Sequence, residues 1–287
     1  MNILTSTRAR ARTGLDRLAD SFSRPQPPPA EEPTGFFTDS TLCIGCKACE
    51  VACKQWNDLP ADGMDWSGQS YDNTLHLSAT SWRHVSFTEQ ALPDGGVRWL
   101  FNSDVCKHCA AAPCQEACPT GALIRNEFDS VYVQQDICNG CGYCVVACPF
   151  GVIGRSEADG AAHKCTLCYD RQKDGFMPAC AKACPTQSIR FGKVAELRAQ
   201  AQTRLQEVRA RGETGAYLYG AEPSGEYSAL HAFFLLTEEP AAYNLPPAPL
   251  RPSARMLRRY LWSATVGIGL SAAAALLFGR EAADDPR

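Results

Sequence analysis

All sixteen cysteines of this chain fall between Cys43 and Cys184, in four runs of four. The first run is Cys43-x2-Cys46-x2-Cys49-x3-Cys53, and the third is Cys138-x2-Cys141-x2-Cys144-x3-Cys148. The second, Cys106-x2-Cys109-x4-Cys114-x3-Cys118, and the fourth, Cys165-x2-Cys168-x11-Cys180-x3-Cys184, carry longer spacers before the third cysteine. Three thiolates this close can wrap one loop around an iron–sulfur cube, and Gly45, Ala48 and Ala52 are small enough to let the backbone approach it. The fourth cysteine, a helical turn further on, points away from that cube and can ligate another. Zinc is the rival chemistry, but structural zinc usually joins two Cys-x2-Cys hooks separated by a dozen or more residues. Here three cysteines crowd within seven residues in the first and third runs, and three runs end in Cys-Pro. The pattern predicts four 4Fe-4S clusters, with one cluster altered to 3Fe-4S or zinc as the alternative.

Ligand sets follow if the runs pair. Nineteen residues, Pro119 to Ile137, separate the second run from the third, as in a single two-cluster domain. Cys106, Cys109 and Cys114 are then expected to share a cube with Cys148, and Cys138, Cys141 and Cys144 to share its neighbour with Cys118. The first and fourth runs are left to pair across this insertion. That gives Cys43, Cys46 and Cys49 with Cys184, and Cys165, Cys168 and Cys180 with Cys53. His108, inside the second run, is expected near the cluster or at a partner contact, since the cysteines already suffice as ligands. His76 and His84 are expected on the surface or in packing.

The chain has 287 residues, 45% of them hydrophobic and 21% charged, an ordinary globular composition. A net charge of -3 argues against nucleic acid as the main partner. Clustered Cys-x2-Cys pairs speak for metal ligation after assembly in a reducing compartment, not for disulfides. Arg8, Arg10, Arg12 and Arg17 are followed by no apolar run, so no signal peptide is expected, and export would need another subunit as carrier. No nucleophile–base pair, phosphate loop or dinucleotide fingerprint accompanies the cysteines. The chain is expected to relay electrons without itself turning over a substrate.

The elements that must hold these loops can be placed by pattern. Residues 1–34, rich in proline, read as a disordered tail, and Phe36 to Thr38 as a strand leading into the first run. Alternation around Val85 and Phe87, then Pro93-Asp94-Gly95-Gly96 and an apolar stretch to Phe101, predicts a hairpin. Behind the second, third and fourth runs, Cys-Pro stops a helix and a short strand follows, giving a repeated strand, cysteine loop, helix, strand unit. Residues 194–211 predict a bracing helix with Leu197, Leu205 and Val208 on one side and Gly212 as its stop. Leu230 to Thr237 predicts a strand, and Pro246, Pro247, Pro249 and Pro252 a linker. Tyr260 to Gly279 has no charge and is long enough for a ~30 Å hydrocarbon core, so a transmembrane helix is expected, with Tyr260 and Trp262 at an interface. Ser263, Gly267, Ser271, Ala275 and Gly279 recur every four residues along it, a pattern that lets another helix approach.

The expected fold is α+β: two bacterial-ferredoxin-like two-cluster domains, one inserted in the other, with a C-terminal transmembrane helix. Residues 35–59 with 157–192 make the outer domain, and 60–156 the inserted hairpin and inner domain. Residues 193–253 supply helix, strand and linker, 254–280 the anchor and 281–287 a tail.

With those runs in place, the chain resembles the iron–sulfur (beta) subunits of membrane-bound formate dehydrogenases, among the four-cluster electron-transfer subunits of the molybdopterin oxidoreductase superfamily. The resemblance rests on the stretch from Phe36 to Asn57, the other three runs, Ala229 to Pro240, and Tyr243-Asn-Leu-Pro246. The cysteine runs alone are similar to those of dimethyl sulfoxide, polysulfide and nitrate reductases and of some nickel–iron hydrogenases. Cys53-Lys-Gln-Trp-Asn57 and the terminal helix favour formate dehydrogenase. The resemblance implies a molybdopterin- or tungstopterin-containing catalytic subunit as electron donor, a membrane cytochrome b-type subunit and quinone as acceptors, and contact with membrane lipid. It also implies that the first- and fourth-run pair lies toward the catalytic subunit and the second- and third-run pair toward the membrane. The same role in a membrane-bound hydrogenase or sulfur-compound reductase is the alternative. Location is expected at the cell membrane, single-pass. Arg251, Arg255, Arg258 and Arg259 before the helix favour a cytoplasmic cluster domain, while relatives with an exported catalytic subunit place it outside, so the side stays open.

Overall fold

The apolar run Ala232 to Leu236 lacks the polar alternation of a half-buried strand, and in the computed structural model all five of its side chains are buried. The structure describes residues 32–61, 66, 68, 71–223 and 227–283. The expected tail lies outside the described residues up to residue 31, as do residues 284–287.

In chain order the elements are β1 (Thr34–Asp39), α1 (Ala48–Trp56), β2 (Arg83–Ala91), β3 (Val97–Val105), α2 (Pro113–Glu116), β4 (Leu123–Arg125), β5 (Val131–Val133), α3 (Tyr143–Ala147), β6 (Gly154–Arg155), β7 (Ala162–His163), α4 (Tyr169–Lys173), α5 (Ala179–Ala183), β8 (Ile189–Lys193), α6 (Val194–Ala210), β9 (Tyr217–Tyr219), β10 (Ala232–Leu236) and α7 (Met256–Ala283). The stretch Pro28–Arg251 packs as one compact unit. Within it, one sheet has the order β8-β1-β10-β9, and the pairs β2-β3, β4-β5 and β6-β7 form three separate hairpins. Strand β1 runs parallel to β10, pairing Phe36 with Ala232 and Phe37 with Phe233, and antiparallel to β8.

The four-stranded sheet is covered on both faces, which explains the uninterrupted apolar run. Phe37, Phe233 and Leu235 meet Val194, Leu197, Ala201, Leu205 and Val208 of α6. Phe36, Phe234 and Leu236 face the larger core that contains the buried cysteines. The brace predicted over 194–211 is present, and the structure adds Val194 and Ala201 to its apolar side. Arg204 Nε pairs with Asp39 Oδ2 at 2.7 Å, tying this helix to the end of β1. Phe37 is fully buried and stacks on Phe233 at 5.5 Å, so Phe37→Ala is expected to cost ~3–5 kcal/mol of stability, read as a lowered denaturant midpoint of the subunit.

The cysteine runs sit where strand meets helix. β1, β3, β5 and β7 lead into the four runs, and β4, β6 and β8 follow the second, third and fourth. The first run departs from the predicted unit. Cys53 is followed by Lys54, not proline, so α1 continues to Trp56 and no strand follows directly. The long hairpin β2-β3 pairs Arg83 with Val105 through to Ala91 with Val97, and β3 extends past the predicted Phe101 straight into Cys106.

The C-terminal segment belongs to a second unit. Helix α7 contains the predicted span and extends beyond both ends of it. Among the described residues no helix is long and apolar enough to cross a membrane, so the expected transmembrane helix is not shown.

Candidate metal centres

Two helix pairs bring the cysteine runs together. Helix α1 carries Cys49 and Cys53 one turn apart, and it packs against α5, which carries Cys180 and ends on Cys184 as its C-cap. Residues four apart share a helix face, so two such helices can exchange cysteines between two cages. The second and third runs repeat the device: α2 holds Cys114 with Cys118 just beyond, and packs against α3, which holds Cys144 and ends on Cys148. Lys47 and Gly142, in the left-handed conformation at φ 58° and 76°, turn the first and third loops into their helices.

The cavities between these elements are walled by thiols. One is lined by Cys43, Cys46, Cys49 and Cys184, with Val85 and Ser103 from the long hairpin. Another is lined by Cys106, Cys109, Cys114 and Cys148, with His108 and Tyr227. Of the remaining eight thiols, Cys53, Cys168 and Cys180 add to burial in raising the Cys165 thiol, and Cys138, Cys118 and Cys141 do the same for Cys144. Two openings are thus each lined by four thiols, and all sixteen cysteines are free of disulfides. Among the described residues, no group of three or more His, Cys, Asp or Glu side chains is gathered tightly enough to hold a metal ion by itself. The donor sets fit a larger group, with four thiols around each opening.

Electrostatics supply a second test of fit. Burial pushes the Cys49 thiol up to about 12, Cys109 up to about 12, and Cys144 and Cys168 up to about 11. Burial likewise raises Cys53, Cys114 and Cys165. Thiols held neutral in this way must lose their protons to bind metal, so loading is coupled to proton release and to positive charge nearby. That charge is present. Arg83, Lys107 and Lys164 are among the most deeply buried side chains of the chain. Lys164 Nζ donates to Cys106 Sγ at 3.5 Å and to the Cys165 carbonyl at 3.0 Å, between the inner and outer cage pairs. Lys107 is paired with Asp104. Arg83 Nε and Nη2 have no hydrogen-bond partner, an orphaned pair of donors beside the thiols.

Two family models, both described as 4Fe-4S dicluster domains, match residues 42–122 and 97–194. The formate dehydrogenase iron-sulfur subunit of Haemophilus influenzae is 40% identical over 215 residues, covering 74% of this chain and 68% of its own. The formate dehydrogenase-O iron-sulfur subunit of Escherichia coli is 37% identical over 252 residues, covering 86% and 82%. The chain belongs to the formate dehydrogenase iron-sulfur subunit family. One chain of the anaerobic dimethyl sulfoxide reductase of Escherichia coli is 37% identical over 170 residues, covering 57% of this chain and 75% of its own. Four 4Fe-4S clusters are the cofactors of this iron-sulfur subunit. The family models follow chain order, whereas the thiols group across it, first run with fourth and second with third.

Three polar residues of the subunit's cages carry no signal in the cysteine spacing. Arg83 and Ser103 come from the long hairpin, and Tyr227 brings its hydroxyl to 3.0 Å from Cys109 Sγ. Among the histidines, His108 is buried and accepts the Val131 N–H on Nδ1, with burial lowering its pKa. His84 is buried against Asp72, and His76 is exposed.

Proposed function

We propose that this chain is the electron-transfer subunit of a membrane-bound formate dehydrogenase, between a pterin-containing catalytic subunit and a membrane cytochrome b-type subunit that passes electrons to quinone. When bound, the clusters supply one-electron redox steps. The protein's part is to hold them in line and keep water from the middle of the line. The observation that carries this is the exposure of the thiols. Cys46 in the first-run cage and Cys141 in the third-run cage are exposed. Cys53, Cys165, Cys168 and Cys180 are all buried, as are Cys106, Cys109 and Cys114. Two covered cages between two open ones suit a wire with a port at each end. On this proposal the Cys46 port faces the catalytic subunit and the Cys141 port the membrane subunit. The ligand sets are Cys43, Cys46, Cys49 and Cys184; Cys53, Cys165, Cys168 and Cys180; Cys106, Cys109, Cys114 and Cys148; and Cys118, Cys138, Cys141 and Cys144. The greater coverage of the formate dehydrogenase relatives favours formate over a sulfoxide as the partner's substrate. Formate added to the anaerobically purified native complex should bleach the iron–sulfur absorbance. Bleaching by hydrogen and not by formate would assign the wire to a hydrogenase.

We further propose that α7 attaches the subunit to the membrane in company with a partner helix. Tyr260, Trp262, Ile268, Leu270 and Leu276 are exposed on it. Thr265 and Ser271 bond back to the carbonyls of Trp262 and Gly267, which lowers their cost in an apolar setting. The small residues at Ser263, Gly267 and Ser271 would let another helix come close. Removing residues 256–287 is expected to release the subunit from membranes, and unchanged sedimentation with the membrane fraction would refute the anchor.

A further inference from the structure

The hairpin β2-β3 contributes no cysteine, yet its first residue reaches the centre of the outer cage pair. Arg83 is 2% exposed, and its guanidinium lies over the Phe36 ring at 4.7 Å. Nη1 donates to the Ser103 carbonyl at 3.3 Å and to Ser103 Oγ at 3.0 Å. Nε and Nη2 have no protein partner. A buried cation without a bonded anion is strongly unfavourable unless negative charge stands nearby. Cys180, Cys49, Cys165 and Cys53 are close enough to act on it electrostatically, so thiolates at those positions would supply the compensating charge. Those four belong to both outer cages, Cys49 to the first-run set and the others to the fourth-run set. Ser103 extends the influence. Its oxygen accepts from an arginine, which has no lone pair to offer, so its own proton is free for Cys49 Sγ at 3.3 Å. Lys107, by contrast, is neutralised by Asp104.

We propose that Arg83 sets the reduction potentials of the two outer-pair clusters, its buried guanidinium acting on their thiolates through its charge and, by way of Ser103, on Cys49. This rests on the four-cluster assignment. A 4Fe-4S core with four thiolates is a net anion that gains a further negative charge on reduction. A fixed cation beside it therefore stabilises the reduced form more than the oxidised form and raises the potential, as do hydrogen bonds to its sulfurs. The outer pair thereby accepts electrons more readily than bare thiolate cages would. Arg83 is thus a positioning residue for charge and touches no substrate.

The test is an EPR-monitored redox titration of the intact complex purified anaerobically. Arg83→Met is expected to lower the potentials of two of the four clusters, each by at least about tenfold in the reduction equilibrium, ~59 mV for one electron. The other two should hold their values. Arg83→Lys keeps the charge and should lower the same two by less. Ser103→Ala removes only the relayed hydroxyl and should lower the first-run cluster alone, by a few-fold. Unchanged potentials in Arg83→Met with all four clusters loaded would overturn the proposal, as would an equal shift of all four. Should Arg83→Met fail to load its clusters, the other two variants decide, and unshifted potentials in both would overturn it. Iron and acid-labile sulfide in the wild-type complex short of four clusters would instead sink the cluster assignment, independently of Arg83.

Discussion

Cys53→Ser is expected to remove the cluster held by Cys165, Cys168 and Cys180 while leaving the one beside Cys43, Cys46 and Cys49 in place. Cys53 belongs to the first run by sequence, but its thiol sits among the fourth run: Cys180 and Cys168 both raise its pKa after burial does. The thiol is 6% exposed, so no external ligand can reach the gap that serine leaves. A serine hydroxyl is a far weaker acid than a thiol and stays protonated in that buried setting. The reciprocal variant gives the control. Cys184 ends the fourth run but lines the cavity of Cys43, Cys46 and Cys49, so Cys184→Ser should lose the first-run cluster instead. EPR spectra of the two variants should each lack one signal, and a different one. Formate-to-quinone turnover should fall by at least about tenfold in both, equivalent to ~1.4 kcal/mol on the barrier, because a missing link lengthens one electron step. Loss of the same signal in both variants would contradict the exchange of ligands between runs.

The cysteines were legible because their chemistry is written in local spacing. Two to four residues between thiols fix a loop, and a proline after the last fixes where the helix stops. The expected exchange across an insertion has a related basis: four runs of four leave no spare ligand. The strand Ala232 to Leu236 and the brace α6 also declared themselves, because burial on both faces or along one stripe leaves a periodic trace. Arg83, Ser103 and Lys164 left no such trace. Their importance comes from where distant elements meet, Arg83 from a hairpin more than a hundred residues before α6, and no local pattern distinguishes a buried arginine from a solvated one. Lys164 had a faint signal in standing directly before Cys165.

Gly140→Ala is expected to destroy the third-run cage, whereas Gly142→Ala, two residues away, should leave it loaded. Both glycines have left-handed backbones, φ +68° and +76°, so an alanine at either carries roughly the same conformational cost of 1–2 kcal/mol. That cost alone does not forbid a side chain. Lys47 occupies the position of Gly142 in the first run at φ 58°, and His108 and Leu167 occupy the position of Gly140 in the second and fourth runs at φ 41° and 60°. Space decides the difference. A Cβ on Gly142 meets nothing within 4 Å, but a Cβ on Gly140 falls 2.2 Å from the Gly160 carbonyl oxygen. That oxygen is backbone and cannot rotate away. Gly160 is held by its own N–H to the Ser156 carbonyl at 3.0 Å, and Ser156 N–H in turn bonds to Ala161 O at 2.9 Å, closing the turn between β6 and β7. The same hairpin presents the Ala162 N–H to Cys138 Sγ at 3.4 Å, so any shift that relieves the clash also withdraws a hydrogen bond from a predicted ligand. The combined penalty should exceed ~4 kcal/mol, in the range reserved for severe local disruption. Iron analysis and EPR of Gly140→Ala should show the loss of the Cys138, Cys141, Cys144 and Cys118 cluster with the other three retained. Gly142→Ala should keep all four with only a lowered thermal midpoint. Full loading of Gly140→Ala would mean that the β6-β7 turn yields more easily than its hydrogen bonds imply.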